Sequence, residues 1–160
     1  MKVYQLKCRK TVGLEALEKY KDVQLLDPSN IASQDHIEFA ISQAKKAFER
    51  GDNLSNNFLV EIVVRASGQR QIKKAFEMMG LKGSKEVIAI SENLPADFLE
   101  EYQCKPCEIL YMNKEKYERL KKAFEISEKE INAVSGEKFE EKVKALIEII
   151  KERIALIPTL

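Results

Sequence analysis

Leu54-Ser55-Asn56-Asn57-Phe58-Leu59-Val60-Glu61-Ile62-Val63-Val64-Arg65-Ala66 is the stretch on which the fold turns. By composition it is a strand, since Val60, Ile62, Val63 and Val64 are β-branched. By spacing it is a helix. Phe58, Leu59, Ile62, Val63 and Ala66 recur at i, i+1, i+4, i+5 and i+8, and Glu61 stands four residues before Arg65, the separation of an ion pair along one helical face. Periodicity reports which side of an element is buried, so it takes precedence and predicts a buried helix broken by Ser67-Gly68. The sheet must then be assembled from shorter pieces elsewhere.

Downstream, a helix is predicted from Gln69 to Met79, with Ile72, Ala75, Phe76 and Met79 inward and Gly80 as its end. Val87-Ile88-Ala89-Ile90, within Glu86–Ser91, reads as a central strand. Pro95 opens a short helix to Tyr102, Cys107–Met112 reads as a further strand, and Asn113 caps a helix through Phe124. A long helix covers Glu137–Ile157. Upstream, Val3–Cys8 alternates apolar and polar residues as a half-buried strand does. A short helix follows around Leu14–Tyr20, then a strand at Val23–Leu26 stopped by Asp27-Pro28. Ser33 is placed as the N-cap of a helix to Arg50, with Gly51 beyond its end. Ile37, Ala40, Ile41, Ala44, Ala47 and Phe48 form that helix's apolar stripe. The expected class is α+β: a small, mostly antiparallel or mixed sheet covered by several helices, in one domain over residues 1–160.

Composition agrees with a folded core. The 160 residues are 44% hydrophobic, and 27 Lys and Arg against 26 Asp and Glu leave a formal charge of +1. That balance excludes a uniformly basic nucleic-acid coat, but not a local basic patch. No apolar run approaches the ~18–20 residues that span a bilayer, and Met1-Lys2-Val3-Tyr4-Gln5 has no apolar signal region. Three cysteines cannot all pair with one another, which argues against a secreted disulfide scaffold. The expectation is a soluble, cytoplasmic protein with no membrane association. Its 21 Lys and 21 Glu point towards life at high temperature.

Catalytic provision is thin. The single histidine, His36, lacks a nucleophile or metal partner in any recognisable signature, and reads as a helix-surface or satisfied core side chain. No phosphate-loop, dinucleotide-binding, serine-hydrolase or zinc-protease motif occurs. Cys104-Lys105-Pro106-Cys107 is the one spacing compatible with redox chemistry. It follows a helix and leads into a strand, however, opposite to the placement that activates a thiolate, so a turn with two ordinary thiols is favoured over a thiol–disulfide enzyme. No cofactor or metal is implied. The informative stretch is 65–85, where Arg65, Arg70, Lys73, Lys74, Lys82 and Lys85 face only Glu77, a net of +5. Ser67-Gly68-Gln69-Arg70 is expected to present free N–H groups at a helix start, and cations beside such a start suit phosphate. The last helix carries Phe139, Val143, Leu146, Ile147, Ile150, Ile154 and Ile157 on one stripe. Ala145, Ile149 and Leu156 form a second ridge beside Arg153. That arc exceeds what docking on one surface needs, so the helix is either sandwiched or partnered.

Several segments together resemble a known family. They are Val23-Gln24-Leu25-Leu26-Asp27, Ile31-Ala32-Ser33-Gln34-Asp35-His36, Ala40–Phe48 and Asn53-Leu54-Ser55, then the run Glu61–Ile72, Ala75, Met79-Gly80-Leu81 and Val87–Ile90. The family is the small kinase-binding subunit of the KEOPS complex (CGI-type, TPRKB-like), of archaeal type. The match is tight in the central block and loose over Asn93–Cys107 and the last helix, and it gives the Cys104/Cys107 pair no role. The resemblance implies a non-catalytic subunit that docks on a kinase-like ATPase. It also implies recruitment of tRNA by its 3′ CCA end, so that the transferase subunit can form threonylcarbamoyladenosine on ANN-decoding tRNAs. The tRNA-contacting residues expected on this basis are Arg65, Ser67, Gly68, Gln69, Arg70, Lys73, Lys74, Lys82 and Lys85. The partner-contacting residues are Ala145, Ile149, Arg153 and Leu156.

Overall fold

Val87-Ile88-Ala89-Ile90 puts an apolar side chain on both faces of its strand, so that strand must be covered on both sides. The computed structural model, which describes residues 1–157, covers it so. Its elements are β1 (Lys2–Val12), α1 (Glu15–Lys19), β2 (Gln24–Leu26), a 3-10 turn (Pro28–Asn30), α2 (Gln34–Arg50), α3 (Phe58–Ser67), α4 (Ile72–Met79), β3 (Ser84–Ser91), α5 (Ala96–Glu101), β4 (Cys104–Pro106), α6 (Lys114–Ala123), α7 (Glu128–Val134) and α8 (Phe139–Ala155). The four strands lie in the order β2-β3-β1-β4, and every neighbouring pair is antiparallel. Ile88 and Ile90 join Leu26 in a large core with side chains from α2, α3, α4, α6, α7 and α8. Val87 and Ala89 face the other way, packing with Leu6, Cys8 and Leu25, Ala16 of α1 and Phe98 of α5. The class is α+β, a thin sheet between a thick helical layer and a thin one.

The helix reading of the ambiguous stretch holds: α3 is capped by Asn57 and closed by Gly68 at φ +67°. A side chain at that left-handed position would be strained, which is why glycine ends the helix there. Likewise Ser33 accepts from the His36 N–H at the start of α2, and Gly51 closes it at φ +77°. Three expectations are corrected. The helix expected from Gln69 begins at Ile72 instead, because Ser67 Oγ takes the Gln69 N–H in a local turn. Ile72, expected inward, is 42% exposed on its first turn. The strand expected at Cys107–Met112 is absent, and β4 occupies Cys104–Pro106. Past Pro106 the Cys107 N–H still meets Gln5 O, but the N–H groups of Ile109 and Leu110 turn to the Gln5 side-chain oxygen, which ends the ladder. The helix α7 was not foreseen. Its seven residues carry a capping box on Ser127 and Glu130 but one buried side chain, Ile131, too few for a periodicity to register.

Candidate functional site

Of the residues expected to meet RNA, the structure withdraws two. Arg65 is completely buried, and its Nε donates to Glu61 Oε2 at 2.7 Å one helical turn away. The +5 stretch therefore loses its first cation to an internal pair. Ser67 is 1% exposed and its hydroxyl donates to Val64 O. Gly68 is half-buried against Phe124 and Arg153, and Gln69 has spent its N–H on Ser67. No free helix start therefore exists at Ser67–Arg70.

What remains is a basic surface. Lys73 and Lys74 lie on the outer face of α4, whose inner face buries Ala75 and Met79. Lys82 and Lys85 are exposed on the turn into β3 and on its first residues. Arg70 is exposed, with one guanidinium nitrogen donating to Ile157 O, which ties the start of this segment to the end of α8. No carboxylate of the described residues forms an ion pair with any of these five cations. Their charge is available to a phosphate backbone, for which the attraction is strong and salt-dependent.

The second surface is the seam between α7 and α8. Ala145 and Ile149, expected as a spare ridge, are 7% and 6% exposed and belong to the core. The ridge was apolar because α7 packs over it. Arg153 is engaged as well, with Nη2 donating to Glu130 Oε2 at 2.8 Å and to Glu125 O, a clamp between α8 and α7. Leu156, at the end of α8, is 48% exposed. A groove of about 640 Å³ opens along this seam, with Ala145 and Ile149 on its floor and Glu141, Glu148 and Glu152 on its α8 wall. Val134, on the α7 wall, is 70% exposed.

The remaining sequence candidates are structural. His36 is buried, its Nδ1 accepting from the Ala32 N–H at 3.0 Å and its Nε2 bonded to Ala66 O at 2.8 Å, which fixes the proton on Nε2. Burial drives its pKa down to about 4 against a partial opposing pull from Ala66 O. The neutral ring is the folded form, so the unfolded chain binds the extra proton between about pH 6.5 and 4 and stability falls as pH drops through that window. The loss reaches about 3 kcal/mol at its lower end. Denaturant midpoints between pH 7.5 and 4.5 should show this slope, and His36→Asn should flatten it from a lower starting stability. An equal slope in the variant would assign the acid sensitivity to other groups.

Cys104 is bonded to Cys8, its register partner across β1 and β4, and Cys107 is the free thiol. Residues three apart on an extended chain point to opposite faces, so Cys104 joins the α1/α5 side while Cys107 packs against the other core. The Cys104/Cys107 redox reading is thereby overturned. Among the described residues no group of three or more His, Cys, Asp or Glu is placed to hold a metal ion, and no helix is long and apolar enough to cross a membrane.

Residues 5–157 match the protein family described as kinase binding protein CGI-121. A stretch of 59 residues is 41% identical to the regulatory protein Cgi121 of the archaeon Methanocaldococcus jannaschii. That stretch covers 37% of this chain and 38% of the relative.

Proposed function

From the premise that this chain belongs to the kinase binding protein CGI-121 family, we propose that it is a non-catalytic adaptor of the KEOPS complex. It docks on a kinase-like ATPase subunit and brings tRNA to the assembly by the 3′ CCA end, working in the cytoplasm beside the threonylcarbamoyl transferase subunit. The observation that carries the RNA half is the concentration of five exposed cations, Arg70, Lys73, Lys74, Lys82 and Lys85, in a stretch whose one carboxylate is Glu77. The kinase half rests on the family, and the α7–α8 face, with exposed Val134 at the lip of the groove, is the docking surface assigned to it.

Binding of tRNA should weaken with salt, each neutralised phosphate of a single-stranded end adding about −0.7 to the log–log slope. The double variant Arg70→Glu/Lys74→Glu should bind at least about tenfold more weakly, with a slope shallower by about 1.4 if each side chain meets one phosphate. Both side chains are exposed and the one tertiary bond lost is that of Arg70 to Ile157 O, so its melting temperature should stay within about 5 °C of wild type. Removing the CCA from the tRNA should weaken wild-type binding similarly. Equal affinity for tRNA with and without CCA would end the idea of end recognition, and an unchanged salt slope in the double variant would move the RNA to another face.

A further inference from the structure

We propose that the α7–α8 groove receives a basic amphipathic helix of the protein partner, one with a narrow apolar ridge flanked by Lys or Arg. The inference rests on the reading that this face is the docking surface and adds the chemistry of what docks there. Two packed helices leave a channel between them into which a third helix fits by its i, i+3, i+4 side chains. Here the channel has an apolar floor, Ala145 and Ile149, and an apolar lip, Val134, which is left 70% exposed at the end of α7.

The charge of the wall selects the partner. Glu141, Glu148 and Glu152 are all exposed along the α8 side of the groove. Glu148 and Glu152 stand at i, i+4, a like-charge spacing that works against the helix they sit on. Glu141 and Glu152 take part in no ion pair among the described residues, and Glu148 reaches Lys151 only at 3.6 Å. Lys144 is the one cation lining the groove. The three glutamates outnumber that single lysine, so the groove carries a net negative charge. An apolar seam beside a net acidic wall favours lysine and arginine in the partner, and rejects an acidic helix by repulsion.

The test uses the full chain and the kinase-like subunit from the same source, with binding followed by surface kinetics at low and high salt. Val134→Gln removes the apolar lip. Glu141→Lys/Glu148→Lys/Glu152→Lys reverses the wall. All four positions are exposed, and thermal melts verify that both proteins fold. The expected result is a loss of about tenfold for Val134→Gln and of about a hundredfold for the triple variant. The wild-type on-rate should fall as salt rises. A loss in Val134→Gln with unchanged or tighter binding by the triple variant keeps the docking face and overturns the basic helix. A loss in the triple variant alone overturns insertion into the groove in favour of distant steering. Full binding by both variants overturns the docking face, and the inference with it.

Discussion

Glu61→Gln is expected to lower stability by about 3–5 kcal/mol, the range for breaking a buried ion pair from one side. Glu61 and Arg65 are both wholly buried. The carboxylate serves two purposes at once. Its Oε2 takes Arg65 Nε, while Oε1 accepts the N–H groups of Leu54 and Ser55 at 2.9 and 2.7 Å. Arg65 in turn donates to Asp52 O, so the pair ties residues 52–55 to α3. Arg65 Nη1 finds no acceptor among the described residues, which makes its counter-charge all the more necessary. At ~2–4 °C per kcal/mol for a domain this size, the melting temperature should drop by roughly 10 °C or more. Glu61→Leu/Arg65→Met should lose much less than the sum of its single changes, because no uncompensated charge is left behind. A Glu61→Gln protein melting within about 1 °C of wild type would mean that the pair is hydrated.

Reduction of the Cys8–Cys104 bond should have an effect of similar size. It closes a loop of 96 residues, and cross-linking a loop of that length removes about 4–5 kcal/mol of unfolded-chain entropy in the polymer account, with 2–5 kcal/mol the usual measured range. Wild-type protein should therefore melt roughly 10 °C lower in reductant. Cys8→Ser should melt at the reduced temperature with or without it, and Cys107→Ser should behave as wild type. Identical wild-type melts in the two conditions would show that the bond contributes nothing in solution.

The legibility of these features in the sequence follows from their range. Ser33, Gly51, Gly68 and Asn113 act within one turn of chain, so the ends of α2 and α3 and the start of α6 could be placed from neighbours alone. The Glu61–Arg65 pair was visible for the same reason. The disulfide was not, because a CxxC spacing draws attention to Cys107 while the true partner lies across a strand pairing that no local pattern reports. The ridge of Ala145 and Ile149 was legible as apolar, but whether it was sandwiched or partnered was not, since its cover, α7, is too short to announce itself. In the basic stretch five of the six cations stayed at the surface, but the expected helix start beside them did not hold. The helix begins at Ile72 and not Gln69, the Gln69 N–H being taken by the Ser67 hydroxyl.

The place of β1 in the sheet has a consequence for biogenesis. It leaves the ribosome well before either of its partners, yet it lies between β3 and β4 and pairs Lys2 with Ser91 and Cys8 with Cys104. At bacterial-scale synthesis rates, β3 follows it after several seconds. Through that interval α2 and α3 can fold on each other, being neighbours in the chain, while β1 waits with Leu6 and both hydrogen-bonding edges bare. A nascent chain stalled before Ser84 therefore offers a chaperone one extended, unpaired N-terminal strand beside a helical pair already formed, and release past Pro106 is the earliest moment at which that strand can be claimed from both sides.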